Sequence, residues 1–318
     1  MLRRAVLLAA KVNTKKLVKA NNVLEPTSKW SFDFCKQFTT MKVDTSLGLP
    51  VATETASSQV FERLPLNEHN LLNDADPTAH ADIEGVMKKM KIPRDIRDYT
   101  DVYKANHRMV DQLARACKES ISVKKKEKKI DQCAEHFLQL CGFDDKPFSI
   151  TAEGSDFAAF GMSCFSEADH YVVVTPDNDL VLIFEDKVGR LGPDGHIGQV
   201  IGEMLMMLSV NAQIQVPFTR KGKAIPPSPP STKKPIFRSI YAVRFVDYHV
   251  SCFTMNPTEQ QIYDVCLHGK ICKPKLQLLT DTEKATRNKG FSLVDPKQRK
   301  HALRTMAAMR QAITKENK

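Results

Sequence analysis

The alternation of apolar and polar residues between positions 148 and 255 constrains the fold more than any other feature of this 318-residue chain. Apolar residues repeat with a period of two in several short segments, as in β-strands. A stretch from His196 to about Gln213 instead has the period of an α-helix. The pattern predicts four strands, a helix and two further strands, and the strand segments are FSITAE, DFAAFGMSCF, HYVVV, LVLIF, RSIYAVRFV and YHVSCFTM.

Amphipathic helices are predicted on both sides of this strand-rich region. The apolar residues of IDQCAEHFLQLCGF, which begins at Ile130, fall on one stripe, and Gly142 is a natural C-terminal stop. The segment PKQRKHALRTMAAMRQAITK has the pattern of a basic amphipathic helix. Together these elements predict an α+β (α/β) fold with a mixed central sheet flanked by helices.

The start of the chain is basic and contains no acid before Glu25. MLRRAVLLAAKVNTKKLVKANNVL combines Arg and Lys with small and apolar residues, a composition typical of mitochondrial transit peptides. We therefore predict a basic leader over residues 1–40 and a mitochondrial location, with the cytoplasm or the nucleus as the alternatives. A basic segment that lies on nucleic acid or on another protein would have the same composition.

The rest of the chain divides by composition into four parts. A loose connector is predicted over residues 41–77 and a helical extension over residues 78–123. The strand-rich core spans residues 124–280, with a Pro-rich basic insert at 219–235, and a C-terminal basic helix follows in residues 281–318. No apolar run approaches the ~20 residues that a membrane span needs.

Composition narrows the class of function. The net charge of +10 favours contact with polyanions, which means nucleic acid or an anionic membrane surface. The eight cysteines form no C-x-x-C pair, so the spacing of a zinc site is missing. A G-x-S-x-G elbow is also missing, which argues against a serine hydrolase of that type.

The segment LVLIFEDK places charged residues at the end of an apolar strand. Glu185 and Lys187 share one face of this strand because side chains alternate. The connector TPDND, which precedes the strand, is rich in turn residues and predicts a hairpin centred on Asp177.

This hairpin would bring two acids together at the rim of the sheet. Its register pairs Tyr171 with Ile183, Val173 with Val181, and Asp169 with Glu185. Opposed side chains have Cβ atoms ~5 Å apart, so two carboxylates would repel each other unless a cation lay between them. Carboxylate oxygens suit Mg²⁺ or Mn²⁺. A register slip of one residue would turn Asp169 to the opposite face.

The region from about Ile130 to Met255 resembles the PD-(D/E)xK nuclease superfamily, whose members include restriction endonucleases. The resemblance is carried by a hairpin ending in E-x-K, by an acid that opens the preceding strand, and by a following helix with a glutamine near its start. It also includes an acid in a preceding helix and a later pair of strands. In this sequence the residues concerned are Glu185, Asp186, Lys187, Asp169, Gln199 and Glu135.

The resemblance implies a restriction-endonuclease-like core that binds Mg²⁺ (or Mn²⁺). The expected metal ligands are Asp169, Glu185 and the main-chain carbonyl of Asp186, while Lys187 and Gln199 complete the catalytic set. Glu135 and Glu153 are further candidates. Glu203 is another, because it lies four residues from Gln199 on one helical face, although the two could also form a polar stripe on an exposed face.

These features lead to two expectations for function. The first is a metal-dependent nuclease that hydrolyses phosphodiester bonds, with DNA and RNA left undistinguished. The second is an inactive nuclease-fold module that serves as a binding scaffold, for instance in a mitochondrial ribonucleoprotein. Basic residues around the hairpin and helix are expected to contact phosphates; they are Arg190, Arg220, Lys221, Lys223, Lys233 and Lys234.

Overall fold

The computed structural model describes residues 10–18, 23–49, 127–152, 154–175, 179–187, 196–216, 235–246, 249–283, 285, 290–293 and 296–316. The helical extension predicted at 78–123 lies outside these residues. So do most of the predicted connector and all but Pro235 of the Pro-rich insert.

A mixed sheet forms the centre of the described part of the chain. The strands, including those of a separate hairpin, are β1 (Thr39–Val43), β2 (Phe148–Thr151), β3 (Ser155–Ala159), β4 (Met162–Ser166), β5 (His170–Val174), β6 (Asp179–Lys187), β7 (Ile240–Val246), β8 (His249–Met255), β9 (Leu276–Thr280) and β10 (Phe291–Ser292). Eight of them form the main sheet in the order β1-β9-β8-β7-β6-β5-β2, with β10 paired to β8. The pairs β1–β9 and β6–β7 are parallel, and the other neighbours are antiparallel.

Helices cover both faces of this sheet, which confirms the predicted α+β class. The helices are α1 (Phe32–Cys35), α2 (Glu127–Leu140), α3 (Ile197–Asn211), α4 (Glu259–Ile262) and α5 (Pro296–Glu316). Helix α3 packs on one face, and α2 and α5 pack on the other, so the sheet separates two apolar cores. Among the described residues, no helix combines the length and apolar content that crossing a bilayer requires.

The predicted strands are confirmed except for one. HYVVV is β5, and LVLIF lies within β6, which continues through the charged residues to Lys187. DFAAFGMSCF is not one strand but the hairpin β3–β4, which forms its own two-stranded sheet. The chain reverses at Phe160 and Gly161, which both have positive φ angles (54° and 73°), as a tight hairpin turn requires.

The described residues of the N-terminal segment, 10–18 and 23–40, pack against the rest of the fold. The leader over residues 1–40 stays a prediction. Trp30, Cys35 and Phe38 are buried in the core on the α3 face. The segment crosses α3 at Gly198, where an added Cβ would overlap the main-chain oxygen of Trp30. Glycine is needed there because it lets the two backbones approach closely. A mitochondrial location stays a prediction.

The core also extends beyond the predicted limits of residues 124–280. Strand β1 adds to the sheet beside β9, and α5 packs against the sheet through Leu303, Met306 and Met309. The predicted C-terminal helix therefore packs on the sheet as part of the core. Its apolar stripe is covered because β10 and β8 lie beneath it.

Candidate functional site

Strand β6 directs Glu185 toward helix α3. Ile183, two residues earlier, belongs to the core on the α3 face, whereas Phe184 belongs to the opposite core. Because side chains alternate along a strand, Glu185 lies on the α3 face. Its side chain is 1% exposed, although it stands near the end of the strand.

Gln199 joins Glu185 to a second acid. Its amide nitrogen Nε2 donates to Oε1 of Glu185 at 2.6 Å and to Oε1 of Glu203 at 2.8 Å. The two accepting oxygens are therefore about 5 Å apart or less. Gln199 is 5% exposed and Glu203 is 0% exposed, so the alternative of a polar stripe on an exposed helix face was wrong.

A buried phenol lies in the field of both carboxylates. The hydroxyl of Tyr171 accepts the main-chain N–H of Ala168 at 2.7 Å. Burial raises the pKa of Tyr171 well above its ordinary value, and the negative charges of Glu203 and Glu185 raise it further. The phenol is therefore neutral, and it is close enough to both acids to respond to their charge.

A further buried charged side chain lies on the neighbouring strand β7. Arg244 on β7 is in register with Glu185 and is fully buried. Its Nη2 donates to the carbonyl of Ala285 at 2.6 Å, and Oγ of Ser251 lies at 3.5 Å. Burial lowers the pKa of Arg244 to about 10, against the opposing effect of Asp281, so the guanidinium stays charged at neutral pH.

Asp281 directly follows β9 and is a buried acid near Arg244. Its Oδ1 accepts the main-chain N–H of Cys252 at 3.0 Å. Burial raises the pKa of Asp281 to about 7, although the bonds to Cys252 and the charge of Arg244 act in the opposite direction. A buried acid and a buried guanidinium therefore offset each other beside the Glu185 cluster.

The sequence did not single out Arg244, Asp281 or Tyr171. The available signal for Arg244 was a lone arginine inside the apolar strand RSIYAVRFV. Charged residues are almost never fully buried without a partner. An internal arginine in a strand between two cores therefore predicts a nearby acid, but not which acid.

The predicted hairpin register is confirmed at the end of the strands that carries the site. Tyr171 pairs with Ile183 as expected, and the paired region ends with His170 opposite Phe184. Nearer the turn the register shifts by one residue, so Val173 pairs with Leu180 and not with Val181. A bulge in β6 between these regions accounts for the difference, because it adds one residue to that strand.

Asp169 lies at the bend directly before β5 and is half-buried. Continuing the register by one position would set it opposite Glu185, but it lies outside the paired strands. Asp186 and Lys187 are paired with Phe245 and Val246 through the backbone of β6, and their side chains are not among those described.

The other candidates are not brought to this cluster by the structure. Glu135 lies on α2, which packs on the opposite face of the sheet, and accepts a bond from Gln139 at 3.4 Å. The remaining candidates lie outside the described residues, and they are Glu153, Arg190, Arg220, Lys221, Lys223, Lys233 and Lys234.

The acids of the cluster fit part of a magnesium site. Mg²⁺ commonly takes one or two carboxylates and keeps several waters. Glu185 and Glu203 supply two such groups, and the second oxygen of each carboxylate is also shielded from solvent. Within the described ranges, no group of three or more His, Cys, Asp or Glu side chains is placed to hold a metal. A third ligand would have to come from Asp169, from the main chain or from water.

Comparison with known proteins adds no relative. No protein-family model matches this chain, and no curated protein matches it significantly. Interpretation of the site therefore depends on its own contacts.

Proposed function

We propose that this protein is a metal-dependent phosphodiesterase that cleaves nucleic acid. The observation that carries the proposal is the buried pair Glu185 and Glu203, held together by Gln199 where β6 ends in E-x-K. Two buried carboxylates at this separation repel each other. Proteins keep such an arrangement where a cation or a proton offsets the charge, and nuclease chemistry uses a cation.

The residues of this chain have distinct roles in the proposal. Glu185 and Glu203 would hold Mg²⁺ or Mn²⁺, with Asp169 and the carbonyl of Asp186 as further ligands. The bound metal would polarise the scissile phosphate and lower the pKa of the attacking water. Gln199 fixes the orientation of both acids because one amide group bonds to each of them.

Lys187 supplies the remaining charge. It ends β6 two residues after Glu185, and the alternation of side chains along a strand would put it on the face that Glu185 occupies. An ammonium group there would orient the attacking water and stabilise the negative charge that develops on phosphorus oxygens. The pairing of β6 with β7 continues to Lys187, so the strand fixes the backbone at this position.

A cleavage assay tests the proposal. Short DNA and RNA substrates are incubated with the full chain in Mg²⁺, in Mn²⁺ and in chelator. We expect metal-dependent cleavage of at least one substrate, reduced at least about a hundredfold in Glu185→Gln and in Lys187→Ala. Glu135→Gln is the matched control, since it makes the same change on the opposite face of the sheet. Equal activity in Glu185→Gln and Glu135→Gln would contradict the proposal.

One observation favours the second function, an inactive scaffold with a nuclease-like fold. The side chains of Glu185, Gln199 and Glu203 are all shielded from solvent and bond to one another. A network satisfied in this way also stabilises a unique core without any catalysis. Nucleic-acid binding without metal-dependent cleavage would support this function over the first.

A further inference from the structure

Three lysine-bearing segments meet on one surface of the molecule, next to the start of β9. The main chain of Val12 donates to the carbonyl of Gly269 at 2.9 Å, and Ile271 donates to the carbonyl of Ala10 at 2.7 Å. Lys11 and Lys270 are directly opposed in the resulting antiparallel bridge. The N-terminal segment is thus joined to the loop that precedes β9.

The third segment is the end of α1 and the residues that follow it. The main chain of Asn13 donates to Oε1 of Gln37 at 2.7 Å, and Nε2 of Gln37 donates back to Asn13 at 3.3 Å. Nζ of Lys275 donates to the carbonyl of Lys36 at 2.6 Å. Residues 10–18, 34–38 and 268–276 therefore form one continuous surface.

The lysines of this surface have few negatively charged side chains near them. The three segments contain seven lysines and no acidic residue. The nearby carboxylates include Asp33, which pairs with Lys36 at 2.7 Å, and Asp264, which accepts a bond from Gln260. Glu25 is a third, and its main chain donates to the carbonyl of Leu17 at 2.7 Å. No described carboxylate forms an ion pair with five of the lysines, which we call the lysine surface: Lys11, Lys15, Lys16, Lys270 and Lys273.

The opposed pair Lys11 and Lys270 indicates a missing anionic partner. Like charges directly opposite each other on paired strands are destabilising. Lys11 is exposed and Lys270 is half-buried, so both ammonium groups are open to a ligand from the same side of the bridge. An anion bound between them would turn this repulsion into attraction.

We propose that the lysine surface binds the phosphate backbone of nucleic acid outside the Glu185 cluster. The proposal rests on the function proposed above and names a surface that holds the substrate. Lysines act as point charges on phosphates, so they give affinity without reading sequence. Among the described residues, the large exposed apolar side chains beside this surface are Val18 and Leu267. A basic segment that binds a membrane has a continuous apolar face, and two such residues do not form one.

A binding measurement in chelator separates this surface from catalysis. Fluorescence anisotropy of a labelled duplex is followed with the full chain across about 50 to 200 mM salt. The test variant combines Lys11→Gln, Lys270→Gln and Lys273→Gln. The matched control combines Lys42→Gln, Lys146→Gln and Lys315→Gln, which remove the same charge from exposed positions elsewhere. Arginine at the three test positions keeps the charge.

We expect the test variant to lose at least about tenfold in affinity and to reduce the salt slope by about 0.9 for each phosphate contact removed. The control and arginine variants should bind like the wild type. Equal weakening in test and control variants would overturn the proposal, because it would show a general effect of charge. Binding to phosphatidylserine vesicles is measured with the same variants. A test variant that binds the duplex normally but no longer binds the vesicles would also overturn the proposal.

The outcome also distinguishes the two proposals. Glu185→Gln should bind the duplex normally in chelator and fail only in cleavage. Normal binding and cleavage by the test variant would overturn the lysine surface and leave the proposed function standing. A wild type that binds but never cleaves would instead contradict the proposed function and leave the lysine surface intact.

Discussion

The two faces of the central sheet differ although the same strands build them. On one face, Phe184 and Phe245 lie against Phe137 of α2, with ring centroids 5.7 to 6.4 Å apart. On the other face, the neighbouring residues Glu185 and Arg244 are buried, and Glu185 accepts a hydrogen bond from Gln199 of α3. The apolar face stabilises the fold, whereas burying charge costs free energy unless partners offset it. The α3 face, which we call the polar face for its buried charges although the rest of it is apolar, is therefore where function is expected.

The largest effect on stability should come from the apolar face. Phe245→Ala removes an aromatic ring that contacts two other rings, and leaves a cavity. We expect the free energy of unfolding to fall by about 3–5 kcal/mol. Urea denaturation measures this change. Metal binding by the folded fraction should stay unchanged, and its loss would show that the two faces are not independent.

On the polar face, Glu185→Gln should have the opposite profile. The substitution preserves shape and removes one of two close negative charges. We therefore expect a large loss of cleavage, at least about a hundredfold, with unfolding free energy in chelator equal to or above that of the wild type. A loss of about 3 kcal/mol or more in Glu185→Gln would indicate a purely structural acid and would remove the contrast between the faces.

The layer outside α3 should be sensitive to a single methyl group. Gly198→Ala forces a Cβ against the main chain of Trp30 and Ser31. Neither this main chain nor the backbone of α3 can move aside as a flexible side chain would. We expect a loss of about 1–3 kcal/mol in unfolding free energy. Val210→Ala, at an exposed position of the same helix, is the control and should change little. A neutral Gly198→Ala would mean that residues 23–38 do not pack on α3 as described.

A fourth contrast concerns pH. The pKa of Asp281 is about 7 in the folded chain, raised by burial from an ordinary 3.8. The folded state therefore holds this proton where the unfolded state has released it, and the contribution of Asp281 to stability falls as pH rises from about 4 to about 7. Arg244 and Cys252 are the groups that face this acid.

Asp281→Asn removes this dependence. The difference in unfolding free energy between wild type and Asp281→Asn should decline across the same pH window and level off above it. Urea denaturation at a series of pH values measures this difference. A difference that does not change with pH would show that Asp281 ionises in the folded chain as it does in the unfolded one.

Local pattern was enough to predict the strands and the register near the site. The turn residues of TPDND and the apolar alternation of HYVVV and LVLIF place Tyr171 opposite Ile183, because hairpin geometry is set by a few neighbouring residues. The bulge in β6, which leaves Val181 without a partner opposite Val172 and Val173, was not predicted from this local pattern.

The burial of the helix side of the site depends on distant residues. Gln199 and Glu203 were predicted to share a helical face, and that face is buried because it packs against Glu185 of β6. Residues 23–38 cover α3 elsewhere, at Gly198 and Gly202. That segment was set aside as a leader on its basic composition. Arg244 and Asp281 come together only through the pairing of β7, β8 and β9, which no local pattern specifies.

Metal-dependent stability tests the central claim most directly. A ligand that binds only the folded state raises unfolding free energy in proportion to the logarithm of its concentration. We expect Mn²⁺ to stabilise the wild type and Glu135→Gln but not Glu185→Gln. In chelator, Glu185→Gln should be at least as stable as the wild type. Equal stabilisation of all three proteins by Mn²⁺, or of none of them, would contradict a metal site at Glu185.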